Sequence, residues 1–263
     1  MIKRTFYPIG QGAFYAERHE NFNIVYDCGN WRKTKKSGTL VESSFCAHDV
    51  IDILFISHMD WDLISRIVTL KNTVSKIKAV VLPLLHEEEK NLLTNLHRVN
   101  RYSSLTLIND PEAFFGKRTK IIKVKGAPAN LNEAINFDPI LVEAAPDEIE
   151  SSTPLYIGEA NYNWCFIPFN VEHKSRQIII EKALIRYGFD IRELKENPKY
   201  TNDIINDTDR KNQLKEIYKS IEGNINSNSL ILYSGSNSET NAQISWSRKS
   251  ISKHEKFLDM NSI

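Results

Sequence analysis

The segment Ser57-His58-Met59-Asp60-Trp61-Asp62 places one imidazole and two carboxylates at every second position. On an extended chain, residues i, i+2 and i+4 fall on one side, so His58, Asp60 and Asp62 can converge. Together they make a partial shell for zinc, manganese or iron, and each binds only when deprotonated. A plainer role fits the same residues. Asp60 or Asp62 caps a helix that begins near Leu63, Trp61 packs, and His58 is an ordinary loop histidine. Spacing alone leaves both readings open.

The flanking elements predict where this segment sits. Val50–Ile56 is an apolar run broken only by Asp52, which reads as a strand buried on both faces. Leu63, Ile64, Ile67, Val68 and Leu70 have helical spacing. The segment therefore follows the carboxyl end of a buried strand, where α/β folds place their sites. Residues 3–27 read as β-structure, with Gly10-Gln11-Gly12 at a bend and Asp27-Cys28-Gly29-Asn30 as a strand end with turn chemistry. Residues 31–48, which include Arg32, Lys33, Lys35 and Lys36, read as a solvated loop or one that faces phosphate. Further strands are predicted at 77–82, 104–108, 119–125, 163–169 and 229–234, the last paired with 243–246. Helices are predicted at 86–100, 174–187 and 200–222, and 126–147 reads as loop-rich. The order of elements points to one layered α/β domain.

Composition narrows the class. The 34 basic and 33 acidic residues leave a formal charge of +1, which excludes a strongly basic nucleic-acid coat but not a local basic patch. A 41% hydrophobic and 25% charged chain is ordinary for a globular protein. Cys28, Cys46 and Cys165 form no C-x-x-C pair and suggest buried thiols in a reducing compartment. No signal peptide and no apolar stretch of bilayer length is visible, so the expected location is the cytoplasm, away from membranes.

Four segments, in order, resemble the metallo-β-lactamase fold family, most nearly its competence-protein-like, standalone bacterial branch. Ile9-Gly10-Gln11-Gly12 resembles the opening hairpin, and Asp27-Cys28-Gly29 the strand end whose Asp supports the metal loop. Ser57–Asp62 resembles the metal loop itself, and Asn228-Ser229-Leu230-Ile231-Leu232 the later polar-then-apolar strand. The resemblance implies an αββα sandwich over residues 1–247, incomplete at its C-terminal end, with 248–263 as a loose polar tail. It implies one or two metal ions, zinc or else manganese or iron. His58 and Asp60 would hold the first, Asp62 the second and catalysis, and Asp27 would orient the loop.

The sequence also departs from that pattern. Leu63 stands where a further histidine is expected, Arg66 where a small glycine is expected, and Ser236 where a bridging aspartate is expected. His254 lacks the context of a distal ligand. The guanidinium of Arg66 would then fill the vacated metal position and pair with Asp60 or Asp62. Two functions follow. One is a binding or regulatory module of hydrolase ancestry with impaired catalysis. The other is a metal-dependent phosphodiesterase or nuclease, with nucleic acid or another phosphodiester as substrate. An unpaired sheet edge near 229–246 would offer a surface to a protein partner or a second copy.

Other motifs carry less. His86 precedes three glutamates that suit a helix start. His48 and His97 read as surface residues, and His173 follows an aromatic strand. No third glycine completes Gly10-x-Gly12, no Gly-x-Ser-x-Gly elbow occurs, and 203–218 lacks calcium-loop spacing.

Overall fold

The computed structural model describes residues 2–99, 102–103, 105–127, 138–158, 164–172, 174–220 and 228–236. Two sheets stack face to face, with helices against the outer face of the larger one. The larger sheet begins with β1 (Lys3–Phe6), β2 (Gly12–Arg18) and β3 (Asn23–Asn30), paired antiparallel. From β3 onward it is parallel, through β4 (Val50–Phe55), β5 (Lys76–Pro83), β6 (Lys120–Val124) and β8 (Glu148–Ile149). The smaller sheet has the order β11 (Asn228–Ser236), β10 (Trp164–Glu172), β9 (Leu155–Tyr156), β7 (Ile140–Leu141).

Burial on both faces explains the continuous apolar strands. Ile24, Ile53, Phe55, Val81 and Ile122 face the smaller sheet and meet Leu155, Phe166 and Leu230. Val25, Ile51, Leu54 and Val80 face the helices. Each such side chain contributes about 1.5–3 kcal/mol when fully buried. This is the mixed α/β sandwich that the sequence predicts.

Three elements differ from expectation. Residues 35–42 form helix α1 (Lys35–Glu42) inside the expected loop. Thr34 caps it, its hydroxyl accepting from the Ser37 N–H at 3.2 Å. Leu105–Asn109 is helical rather than a strand, because a short apolar run does not reveal its period. The predicted helix 200–222 is two helices, Pro198–Asn206 and Thr208–Ser220. Asp207 leaves helical geometry between them, and its side chain accepts from the N–H groups of Asp209 and Arg210 at 3.0 and 3.1 Å. The proposed partner strand 243–246, His173 and His254 lie outside the described residues, as does the tail 248–263. Among the described residues, no helix is long and apolar enough to cross a membrane.

The edge near 229–236 is partly closed. Leu230 donates its N–H to the Ser57 carbonyl at 2.8 Å, and its own carbonyl accepts from the Tyr26 hydroxyl at 2.5 Å. Arg4 donates to the Ser234 carbonyl at 2.8 Å. Ser234 donates to Glu17, a buried carboxylate that also holds Tyr15, His19 and Arg4. The edge is therefore stitched to the larger sheet at these points and is not a continuous template for another strand.

Candidate functional site

Parallel β3 and β4 bring Asp27 beside the chain leaving β4. Asp27 is fully buried and has φ 54°, a left-handed conformation that aspartate tolerates better than most residues. Its carboxylate accepts from the Ser57 N–H and from the Ser57 hydroxyl, both at 2.8 Å. Burial pushes its pKa up to about 7, against the pull of those two bonds. Asp27 thus fixes the first residue of the His58 loop.

Gly29 lies within β3 rather than at a turn. A Cβ there would stand 2.4 Å from the Leu63 carbonyl carbon and 2.5 Å from the Asp62 oxygen. Glycine at 29 lets the backbone of residues 62–64 rest directly on β3. Gly12, at φ 140°, gives the same room beside the Asp62 carbonyl. Gly12 and Gly29 are therefore packing requirements of the loop, whereas a Cβ at Gly10 would meet nothing and its φ of 99° serves the bend.

Beyond Ser57 the chain turns into α2 (Trp61–Ile64). Asp60 occupies the N-cap position, but its side chain makes no capping bond. It faces His58 instead, Oδ2 lying 3.4 Å from Nε2. The capping role thus fails for Asp60, while its main-chain carbonyl accepts from Leu63 and Ile64. Burial works against a charged His58, but the hydrogen bond and charge of Asp60, aided by Asp27 and Asp62, raise its pKa. Burial and the charge of Asp60 raise the pKa of Asp62. All three predicted site residues are thus electrostatically coupled. Even so, no group of three or more His, Cys, Asp or Glu side chains among the described residues is arranged to hold a metal ion. The described side chains alone do not fit a metal centre.

The departures have structural roles of their own. Leu63 is buried in the core between the larger sheet and the helices. Arg66 does not fill the metal position. It turns away, 6% exposed, and donates to the Thr34 carbonyl, to Ser37 Oγ at 2.5 Å and to Asn30 Oδ1 at 3.4 Å. Thr34 and Ser37 lie at the start of α1 and Asn30 ends β3, so Arg66 anchors that helix to the strand. Ser236 does not stand at the site. Leu230 bonds to Ser57 near the start of β11, while Ser234 reaches Glu17 towards the far end. The strand runs away from His58, so its last residue emerges at the opposite end of the sandwich.

Sequence reading missed the aromatic rim beside this loop. Trp61 stacks on Tyr102 with ring centres 4.4 Å apart and 8° between planes. Trp31, half exposed, meets the Tyr102 ring edge-on at 6.3 Å. Lys33 Nζ lies 5.8 Å from the Trp61 ring centre, a cation–π contact. His97 is not a surface residue. It is 1% exposed, its Nε2 lies 2.9 Å from the Met59 carbonyl oxygen, and its ring packs edge-on against Tyr102 at 5.3 Å. Its place four residues after buried Leu93 was the available signal. Tyr102 lies in a polar stretch and gave none.

No protein-family model matches the chain, and no curated protein matches it. Similar solved structures include the metallo-β-lactamase fold protein YhfI from Bacillus subtilis, at 11% identity and TM-score 0.35 over 65% of this chain and 53% of that one. Human tRNase Z, short form, is similar at 14% identity and TM-score 0.35, over 66% of this chain and 61% of that one. The chain thus spans between half and two thirds of those two proteins. Its own two stacked sheets, with helices against the larger one, form a mixed α/β sandwich.

Proposed function

We propose that this chain is a binding module on a hydrolase-type fold, and that it holds single-stranded nucleic acid without cutting it. The observation that carries this reading is the rim of Trp31, Tyr102 and Trp61 beside a basic loop. Base–aromatic stacking contributes about 1–3 kcal/mol per base and tolerates any sequence. Half-exposed Trp31 offers a ring for one base. Arg32 and Lys33 in that loop, with Lys35 and Lys36 in the first turn of α1, supply four cations for the adjoining phosphates. His58 and Asp60 are engaged with each other, and Arg66 is committed to α1.

Fluorescence anisotropy with a labelled oligothymidylate and a labelled oligouridylate tests this. Binding at low salt is expected, with a log–log salt slope of about −2 to −3 from four phosphate contacts. Trp31→Ala should weaken it about 5- to 100-fold. Affinity unchanged in Trp31→Ala, or no binding at low salt, would reject the reading.

A second reading rests on the Asp27–Ser57 brace, which fixes the start of the His58 loop. In it, His58, Asp60 and Asp62 join ligands from outside the described residues around zinc, manganese or iron, and the chain cleaves phosphodiesters. Elemental analysis of chelator-free protein separates the two. One equivalent of metal, lost on Asp62→Asn, would favour the second.

A further inference from the structure

The amino ends of the parallel strands, opposite His58, border a cavity of about 820 Å³. Its other walls are the helix Pro111–Phe115, residues 116–121 and the 3-10 turn Val142–Ala144. Ala79, Ile121, Val142 and Ile157 give it an apolar lining. The size suits a drug-sized ligand, since such pockets span about 300–1,000 Å³.

The charges around it are unevenly matched. Buried Asp52 is bonded by Lys78 Nζ at 2.7 Å and by the Asn23 N–H at 2.8 Å. Asp147 pairs with Lys120 at 3.7 Å, and Glu112 with Lys123 at 2.6 Å. Asp110 caps the helix Pro111–Phe115 by accepting from the Ala113 N–H at 2.8 Å. Those four carboxylates are engaged. Lys76, Lys117 and Arg118 also line the cavity, and no carboxylate pairs with them among the described residues. Glu143 and Asp110 are the lining carboxylates without an ion pair among those residues. Three cations thus stand against two carboxylates among the groups without ion pairs, and one of the three is a guanidinium whose planar fork matches phosphate or carboxylate.

We infer that this cavity binds a small organic anion, with a phosphate or carboxylate head on Lys76, Lys117 and Arg118 and an apolar body against Ile121, Val142 and Ile157. The site lies at the opposite end of the strands from the aromatic rim and does not depend on the nucleic-acid reading.

Calorimetric titration and thermal shift of the full chain test it with four probes: 1-naphthyl phosphate, 1-naphthoate, 1-naphthol and inorganic phosphate. At least one naphthyl anion should bind saturably, about tenfold or more tighter than naphthol or phosphate alone. Which anion binds tighter identifies the head group. Lys117→Ala/Arg118→Ala should weaken that binding by about tenfold or more. Both side chains are exposed, so the fold should survive. Trp31→Ala/Lys33→Ala should leave it unchanged, which separates the cavity from the basic loop. No saturable binding of either naphthyl anion, equal binding by the Lys117/Arg118 variant, or loss in the Trp31/Lys33 variant would overturn the inference.

Discussion

Asp27→Asn should alter the pH dependence of stability more than stability itself. The folded carboxyl holds its proton up to about pH 7, whereas an unfolded aspartate loses it near pH ~3.9. The folded state therefore binds more protons across that window, and stability falls as pH rises through it. Linkage between those two pKa values gives a loss of about 2–3 kcal/mol from pH ~5 to pH ~8. Asparagine stays neutral throughout and lacks that slope. Its carbonyl can still accept the Ser57 N–H, and its amide can donate to the Ser57 hydroxyl oxygen. His58 and Asp62, whose pKa values are also raised, tilt stability the same way in both proteins. Their contribution largely cancels in the difference. Urea unfolding of both proteins at intervals across this range is the assay. The variant should gain about 2–3 kcal/mol on the parent, or about 5–10 °C in Tm for a chain of this size. A level difference across the range would show that Asp27 is ionised in the folded chain and would refute the reasoning. Asp27→Ala provides the contrast: it lacks the same slope but leaves the Ser57 N–H unpaired, so it should lie about 1–3 kcal/mol below Asp27→Asn at every pH.

Gly29→Ala should cost upwards of about 4 kcal/mol, because its Cβ meets main chain rather than a movable side chain. The urea midpoint reports it. Arg66→Leu should destabilise by about 2–3 kcal/mol, chiefly by stranding the buried acceptors of α1. Hydrogen exchange should show protection lost first at residues 35–42, and uniform loss across the chain would contradict the anchoring role. Stoichiometric zinc or added chelator should leave Tm within about 1 °C. A clear rise with zinc would transfer support to the metal-dependent reading.

The sequence made some features readable and hid others for identifiable reasons. Val50–Phe55 and residues 79–83 of β5 are buried on both faces, so an apolar run was sufficient to reveal them. Asp27 and Gly29 were conspicuous as residue types, but the close approach that requires Gly29 involves residues 62–64 and is invisible in one dimension. Arg66 was misjudged because its partners, Thr34 and Ser37, belong to a helix hidden in a polar, lysine-rich stretch. Ser236 was misplaced because residue order does not disclose which way a strand runs past a site. The aromatic rim joins Trp31, Trp61 and Tyr102 from three separate segments, and no local pattern links them.

The bonds that Leu230 makes to Ser57 and Tyr26 bear on when the mouth of the sandwich takes shape. Tyr26 and Leu230 are 204 positions apart. Closing so long a loop costs entropy before any contact repays it, and contacts of such separation slow folding. During synthesis β3, β4 and the His58 loop leave the ribosome long before the strand that fastens them. The loop must wait, braced by Asp27, by its packing on β3 and by His97, until β11 arrives. Ligand affinity at the rim should therefore develop late in refolding, after the helical signal has recovered, and be the first property lost when β10 and β11 are weakened.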